Sequence, residues 1–168
     1  MKGDEIFPLV DETGKEIGRA KRSECHGNPK LMHPVVHVIV RNSMGNIFLQ
    51  RRNIHRDVQP GKWDTSVGGH MQPGEKPEDA ARREMREELG VTTNNVRPAY
   101  RYIWRSEIET ELVHTFVAEH EGPFILQTEE IDDGRFWTKG EITGAIGSGI
   151  LTPNFEAEFE RFVKHESR

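Results

Sequence analysis

Apolar runs broken by short polar turns predict a chain built mainly of strands. Residues 6–10 and 15–20 flank Asp11-Glu12-Thr13-Gly14, a turn composition, and so predict a β-hairpin. The β-branched run 35–40 and the run 47–49 predict a second hairpin near the middle of a sheet. A short strand that ends in a glycine turn is expected at 63–69, and further strands at 99–104, 111–118 and 135–138.

Two segments carry the pattern of helices. Pro77 to Leu89 has proline at an early position, two acidic residues in the first turn and a glycine directly after the last residue. Its apolar residues Ala81, Met85 and Leu89 are spaced by four and predict one buried face. A final helix is expected from Thr152-Pro153. Strands interleaved with a few helices indicate a sheet covered by helices on both faces.

Length, charge and cysteine content narrow the class of protein. The 168 residues suit one domain spanning 1–168, and a formal charge of −5 argues against a nucleic-acid polymer as partner. The single cysteine, Cys25, excludes an intramolecular disulfide and favours a reducing compartment, so a cytoplasmic protein is expected. No uncharged run approaches the roughly 20 residues that span a bilayer, so neither an export signal nor a membrane partner is expected. The sequence pattern does not distinguish a monomer from an oligomer.

Three glutamates on the first predicted helix form the strongest candidate for chemistry. Glu84, Glu87 and Glu88 stand at i, i+3 and i+4, which places their carboxylates in one sector of the helix surface. Like charges at this spacing repel unless a cation lies between them, and Mg²⁺ and Mn²⁺ prefer oxygen ligands. The alternative is a solvated acidic face interleaved with arginines.

The residues around these glutamates form a longer pattern. It comprises Gly69, five residues, Glu75, seven residues and then Arg83-Glu84-Met85-Arg86-Glu87-Glu88-Leu89-Gly90-Val91. This resembles the Nudix box at every fixed position from Gly69 to Val91. The resemblance implies the Nudix fold, an α+β fold in which an α/β/α sandwich surrounds a mixed central β-sheet. It also implies hydrolysis of a diphosphate bond in a small-molecule nucleoside diphosphate derivative or nucleotide, with Mg²⁺ or Mn²⁺ as cofactor.

The same resemblance implies roles for individual residues. The glutamates matching Glu84, Glu87 and Glu88 bind the divalent cations, and the backbone carbonyl of the residue matching Gly69 often joins them. The arginine matching Arg83 orients a glutamate through a salt bridge. Glu75 is expected to support the loop, and the choice of Glu87 or Glu88 as general base stays open because the base differs among family members.

A second resemblance extends beyond the box. The segment from Asp11 to Glu88 is similar to the branch of the superfamily that includes isopentenyl diphosphate isomerase. The shared features are Asp11-Glu12-x-Gly14-x3-Gly18, His33, Leu49-Gln50-Arg51-Arg52, Pro60-Gly61-x-Trp63 and Ser66-Val67-x-Gly69-His70. The metal ligands of the isomerase align with His26, His33, His70, Glu109 and Glu111. The alternative is a set of ordinary surface and hydrogen-bonded side chains.

One departure from the isomerase pattern bears on the reaction. Gly68 stands where the isomerase has its catalytic cysteine, and glycine has no side chain that carries a proton. The complete box and this glycine favour hydrolysis over isomerisation. The alternatives are an isomerase-like enzyme acting on a prenyl diphosphate and a non-catalytic module that senses a nucleotide.

Basic residues are needed to bind an anionic substrate in a net-acidic chain. Arg22, Arg52 and Arg56 align with diphosphate-contacting residues of the isomerase, and they are the expected phosphate-binding set. Neighbouring residues of a strand point to opposite faces, so only one of Arg51 and Arg52 is expected to reach the phosphate. Arg52 is predicted to be that residue. Glu130 resembles a glutamate that approaches the metals in many Nudix proteins, and it is a candidate supporting residue.

Overall fold

The computed structural model describes residues 4–168, which form nine strands and four helices. The strands are β1 Ile6–Val10, β2 Glu16–Lys21, β3 Met32–Arg41, β4 Ile47–Arg52, β5 Trp63–Asp64, β6 Val67–His70, β7 Val96–Arg105, β8 Thr110–Glu119 and β9 Ile131–Trp137. The helices are α1 Arg22–Cys25, α2 Pro77–Leu89, α3 Lys139–Ala145 and α4 Pro153–Glu166. None of the described helices is long and apolar enough to cross a membrane.

A mixed sheet forms the centre of the fold. Seven strands make up this sheet in the order β5-β4-β3-β8-β7, with β6 paired to β3 and β9 paired to β4. The pairing of β3 with β8 is parallel, whereas the other pairs are antiparallel. The hairpin β1–β2 forms a separate two-stranded sheet, as its turn composition predicts. The expected α+β class with a mixed central sheet is confirmed.

The alternation of side chains along β3 divides the core between the two faces of the sheet. Val36, Val38 and Val40 pack on one face with the buried side of α2. Ile39, one position out of phase, packs on the other face with α3 and α4. Helices therefore cover both faces, and the residues at 37 and 39 of β3 point toward α4.

Helix α2 begins and ends where the sequence predicts. Pro77 stands in its first turn, and Gly90 adopts a left-handed conformation (φ 70°) at its C-terminus, which favours glycine. Ala81, Met85 and Leu89 are each fully buried, so the stripe spaced by four fixes the rotation of the helix against the sheet. That rotation decides which of its glutamates face the interior.

Several sequence predictions need correction. Residues 63–69 form two strands, β5 and β6, and Gly68 and Gly69 lie within β6 rather than in a turn because both pair with β3. The expected hairpin of 35–40 with 47–49 is joined at a single pair, Arg41↔Ile47, because β6 takes the neighbouring edge of β3. Helices α1 and α3 were not predicted, since α1 spans only four residues and α3 contains two glycines.

Candidate active site

The three glutamates of α2 differ in their burial. Glu84 and Glu88 are almost fully buried against the sheet, whereas the side chain of Glu87 is 43% exposed. Gly69 of β6 lies directly against Glu84, because a Cβ atom at position 69 would stand only 2.1 Å from Cδ of Glu84. Glycine at 69 therefore makes room for a carboxylate between the strand and the helix.

Arg83 connects the loop before α2 to these glutamates. Its Nε and Nη2 donate to the two carboxylate oxygens of Glu75 at 2.8 and 3.0 Å, which makes the contact bidentate. Its Nη1 donates to Glu84 at 2.7 Å and to Glu87 at 3.3 Å, and Nη2 also donates to the backbone carbonyl of His70. Burial alone would raise the pKa of Glu75, but the hydrogen bonds from Arg83 and from the backbone N–H of Gln72, together with the charge of Arg83, lower that pKa overall. Arg83 thus fixes the positions of three carboxylates.

Glu88 lies in the interior beside a like charge. Burial, followed by the neighbouring carboxylate of Glu84, raises the pKa of Glu88 well above its usual range. Its Oε1 accepts a hydrogen bond of 2.7 Å from the Gln50 side chain, which also donates to the carbonyl of Ser66. Two buried carboxylates in contact favour a bound cation, because the cation offsets both the burial and the repulsion. Gln50 is not among the residues predicted from the sequence, although it lies in the stretch Leu49-Gln50-Arg51-Arg52.

A second group of metal-ligating side chains forms around His70, the residue that follows Gly69 on β6. The ligand atoms of His26, His33 and His70 lie within 4.8 Å of one another, as do those of His33, Glu109 and Glu111. The register explains why these side chains meet. His33 of β3 stands opposite Glu111 of β8, and β6, paired to the other edge of β3, brings His70 to the same end of that strand. The structure therefore brings together all five residues that align with the isomerase ligands.

The chemistry of this histidine and glutamate cluster fits a metal ion. Both ring nitrogens of His33 and Nε2 of His26 are buried and neither donate nor accept a hydrogen bond within residues 4–168. Carboxylate oxygens of Glu109 and Glu111 lie 3.2 to 3.8 Å from the two Nε2 atoms. Burial, reinforced by the carboxylate of Glu111, raises the pKa of Glu109 to about 7. Burial also lowers the pKa of His26, which favours the neutral imidazole that binds metals. Phe7 stacks on His33 and His70 and closes one side of the cluster.

One cavity of about 320 Å³ joins the two groups of ligands. Its lining includes Glu88 from the first group and His26, His70, Glu109 and Glu111 from the second. Gly68 and Gly69 also line it, so the absent side chain at position 68 leaves open space within the cavity. This volume matches a small-molecule ligand.

The predicted phosphate-binding arginines share this cavity. Arg22, Arg52 and Arg56 all line it, and Arg51 is not among its lining residues. The side chain of Arg52 is held by the carbonyl of Val58 at 2.9 Å and by Asp64 at 3.2 Å. Arg56 forms an ion pair with Glu130 at 3.5 Å, which places Glu130 on the cavity wall as well. The cavity thus combines three guanidinium groups with Glu88 of the first group and four residues of the second.

Comparison with known proteins identifies the family of this chain and several relatives. The sequence profile of the NUDIX domain matches residues 31–155. An uncharacterized Nudix hydrolase of Yersinia pestis is 34% identical over 173 residues, covering 97% of this chain and 94% of the relative. An isopentenyl-diphosphate Δ-isomerase of Streptomyces avermitilis is 34% identical over 143 residues, covering 82% of this chain and 73% of the relative.

Solved structures agree with the fold. The crystal structure of DR0079 from Deinococcus radiodurans superposes with a TM-score of 0.82 at 25% identity, covering 94% of this chain and 98% of that chain. A MutT protein from Methanosarcina mazei superposes with a TM-score of 0.72 at 24% identity, covering 84% of this chain and 98% of that chain. The mixed sheet with helices on both faces is therefore shared with these proteins.

Proposed function

Because the chain belongs to the Nudix family of pyrophosphohydrolases, in the branch that contains isopentenyl-diphosphate isomerases, we propose that it hydrolyses a diphosphate bond in a nucleoside diphosphate derivative or nucleotide. The observation that carries the proposal is the buried contact between the carboxylates of Glu84 and Glu88, because Glu88 lines a cavity that three arginines also line. This arrangement suits a divalent cation and a phosphate together.

In this proposal Glu84, Glu87 and Glu88 hold Mg²⁺ or Mn²⁺, and the carbonyl of Gly69 completes the set. A cation held by these residues would neutralise charge on the diphosphate and lower the pKa of water. Arg83 positions the carboxylates, because it donates to Glu84 and Glu87 while Glu75 anchors its other edge. The choice between Glu87 and Glu88 as the base that accepts the proton of water remains open.

Substrate phosphate is bound by the arginines of the cavity. Arg52 is the first of these, since Val58 and Asp64 hold its guanidinium in place before any ligand arrives. Arg22 and Arg56 line the same cavity, and Glu130 supports Arg56 through its ion pair. A fixed fork of donors suits the paired oxygens of a phosphate group.

The histidine and glutamate cluster supports a second candidate function, action on a prenyl diphosphate. Its five residues converge, and some relatives are named isopentenyl-diphosphate isomerases. However, Gly68 lines the cavity where an isomerase-type thiol is expected, and glycine cannot transfer a proton to carbon. Hydrolysis is the better supported function, with the cluster holding a further cation beside the substrate.

Phosphorus NMR of the protein with Mg²⁺, and then with Mn²⁺, tests the reaction. Nucleoside di- and triphosphates, nucleotide sugars, dinucleotides, coenzyme A and isopentenyl diphosphate form the substrate panel. We expect cleavage of a P–O–P bond in at least one of them. Exchange of the C2 protons of isopentenyl diphosphate in deuterated water, without cleavage of any substrate, would favour the isomerase-like alternative. Binding without any turnover would favour a nucleotide-sensing module.

The glutamate assignment is tested separately with Glu87→Gln. Loss of a metal ligand is expected to lower turnover by about a hundredfold or more, while the partly exposed position of Glu87 leaves folding intact. Glu78→Gln on the first turn of the same helix is the matched control and is expected to keep full activity. Equal activity of the two folded variants would contradict the assignment.

A further inference from the structure

A buried carboxylate on α4 joins three strands of the sheet beneath the cavity. Glu158 is fully buried and accepts hydrogen bonds from four side chains. His37 Nδ1 lies 2.8 Å from its Oε1, Thr115 Oγ1 donates at 3.0 Å and Tyr102 donates at 3.2 Å, while the Tyr100 hydroxyl contacts Oε2. Because a carboxylate only accepts, Nδ1 of His37 must carry the proton of the shared hydrogen bond.

The opposite edge of the His37 ring faces the cavity. His37 lines the cavity, and its side chain is 13% exposed. A Cβ atom at position 68 would lie 3.4 Å from Cδ2 and 3.8 Å from Nε2 of this ring, so that edge borders the space in front of Gly68. Glycine at 68 therefore leaves the imidazole edge uncovered, whereas a larger residue would shield it.

The electrostatics of the pair favour a protonated ring. Burial lowers the pKa of His37, but the hydrogen bond and the charge of Glu158 outweigh it and raise that pKa, with Glu111 and Asp64 adding to the effect. Burial raises the pKa of Glu158, but the hydrogen bond from His37, followed by the charge of that ring, lowers it overall. Both directions indicate an ion pair between α4 and β3.

We propose that His37 is a substrate-binding residue whose Nε2 donates a hydrogen bond to an oxygen of the bound diphosphate, and that Glu158 is the residue that positions it. The proposal rests on the proposed function for its ligand class. Arg52 and Glu88 line the same cavity, so a diphosphate there can meet arginines, a cation on α2 and the imidazole together. Glu158 fixes the orientation of the His37 ring, and the other edge of the ring faces the open cavity. The ring is therefore a hydrogen-bond donor held in a fixed position.

Inorganic pyrophosphate with Mg²⁺ is the probe, because its binding can be measured without turnover. In protein labelled with ¹⁵N-histidine, we expect the Nε2 resonance of His37 to shift on addition of the probe. By titration calorimetry, His37→Gln is expected to weaken binding by about tenfold or more, the usual effect of removing a charged donor. His165→Gln is the matched control, since His165 lies on α4, touches Tyr100 and is not among the cavity's lining residues.

Two further variants separate binding from folding. Gly68→Ala adds a methyl group at ordinary contact distance from the ring, so it is expected to fold and to weaken pyrophosphate binding by partly covering the imidazole edge. In Glu158→Gln the ring keeps an acceptor at Nδ1 but loses the paired charge. We expect that variant to move the ¹⁵N resonances of His37 in the free protein and to weaken binding of the probe.

The outcomes distinguish this inference from the proposed function. If pyrophosphate binds to the wild-type protein while Nε2 of His37 does not shift and His37→Gln binds equally well, the ion pair only fixes α4 to the sheet and the inference is wrong. Failure of the wild-type protein to bind pyrophosphate would also overturn it. If the His37 resonance shifts as expected but no substrate of the panel is cleaved, the inference stands and the hydrolase function fails.

Discussion

Substitution of Gly69 by alanine perturbs the candidate metal site through a single atom. The added Cβ would lie 2.1 Å from Cδ, 2.4 Å from Oε1 and 2.5 Å from Cγ of Glu84. Carbon atoms in contact are about 3.5 Å apart, so the Glu84 side chain or the strand must move by more than about 1 Å. Because Arg83 holds the same carboxylate at 2.7 Å, the displacement also disturbs the network that connects Glu75 to Glu87.

A shift of about 1 Å in a positioned group can cost roughly a hundredfold in rate, so kcat/KM of Gly69→Ala is expected to fall by about that factor. Overpacking of this kind also lowers the free energy of unfolding by about 1–3 kcal/mol, which lowers the midpoint of thermal unfolding by several degrees in a chain of this length. The assay is steady-state turnover of a cleaved substrate with Mg²⁺, alongside thermal unfolding.

Gly140→Ala is the control, because its Cβ would meet only Thr138 Oγ1, at 3.8 Å. It is expected to keep wild-type activity. If folded Gly69→Ala turned over substrate within about threefold of the wild-type rate, the close approach of β6 and α2 would not matter for catalysis, contrary to the effect of misplacement expected here.

Three further outcomes follow from the same contacts. In Arg83→Lys the lysine side chain cannot make the bidentate contact with Glu75, so turnover in a steady-state assay should fall by about tenfold or more. Because burial and a like charge raise the pKa of Glu88, Glu88→Gln should raise the unfolding midpoint of the metal-free protein at pH 8 and abolish any further rise on adding Mg²⁺. The raised pKa of His37 gives stability that is lost as pH rises through it, and the lowered pKa of Glu158 gives stability that is lost as pH falls through it. A double-mutant cycle by urea unfolding should therefore show their coupling largest between about pH 4.5 and 6.5.

The sequence predicts well those features that depend on neighbouring residues. The boundaries of α2, its buried stripe and the shared face of its glutamates all follow from the 3.6-residue period and from the residues at its ends. The contact of Arg83 with Glu75 and Glu84 joins residues at most eight positions apart. Local geometry is enough to place such groups together, which explains why this part of the candidate site was predictable.

Features that depend on strand pairing could be predicted only from the resemblance to the isomerase branch, or could not be predicted at all. His33 meets Glu111 because β3 and β8 run parallel in one register, and periodicity cannot supply that register. The glycines of β6 pair with β3 although glycine composition predicts a turn. His37 and Glu158 are 121 positions apart and belong to no sequence motif, so their contact is found only in the folded structure.

Two of the buried glutamates, Glu158 and Glu88, have opposite surroundings, and the difference bears on function. Glu158 has four donors and a protonated imidazole, so its charge is compensated within the chain. Glu88 accepts a hydrogen bond from the neutral amide of Gln50 and lies against the carboxylate of Glu84, so its surroundings oppose its charge. A buried acid without compensation costs several kcal/mol in the unliganded protein. Such a cost is expected where a bound cation supplies the compensation, which is why Glu88, and not Glu158, belongs to the proposed metal site.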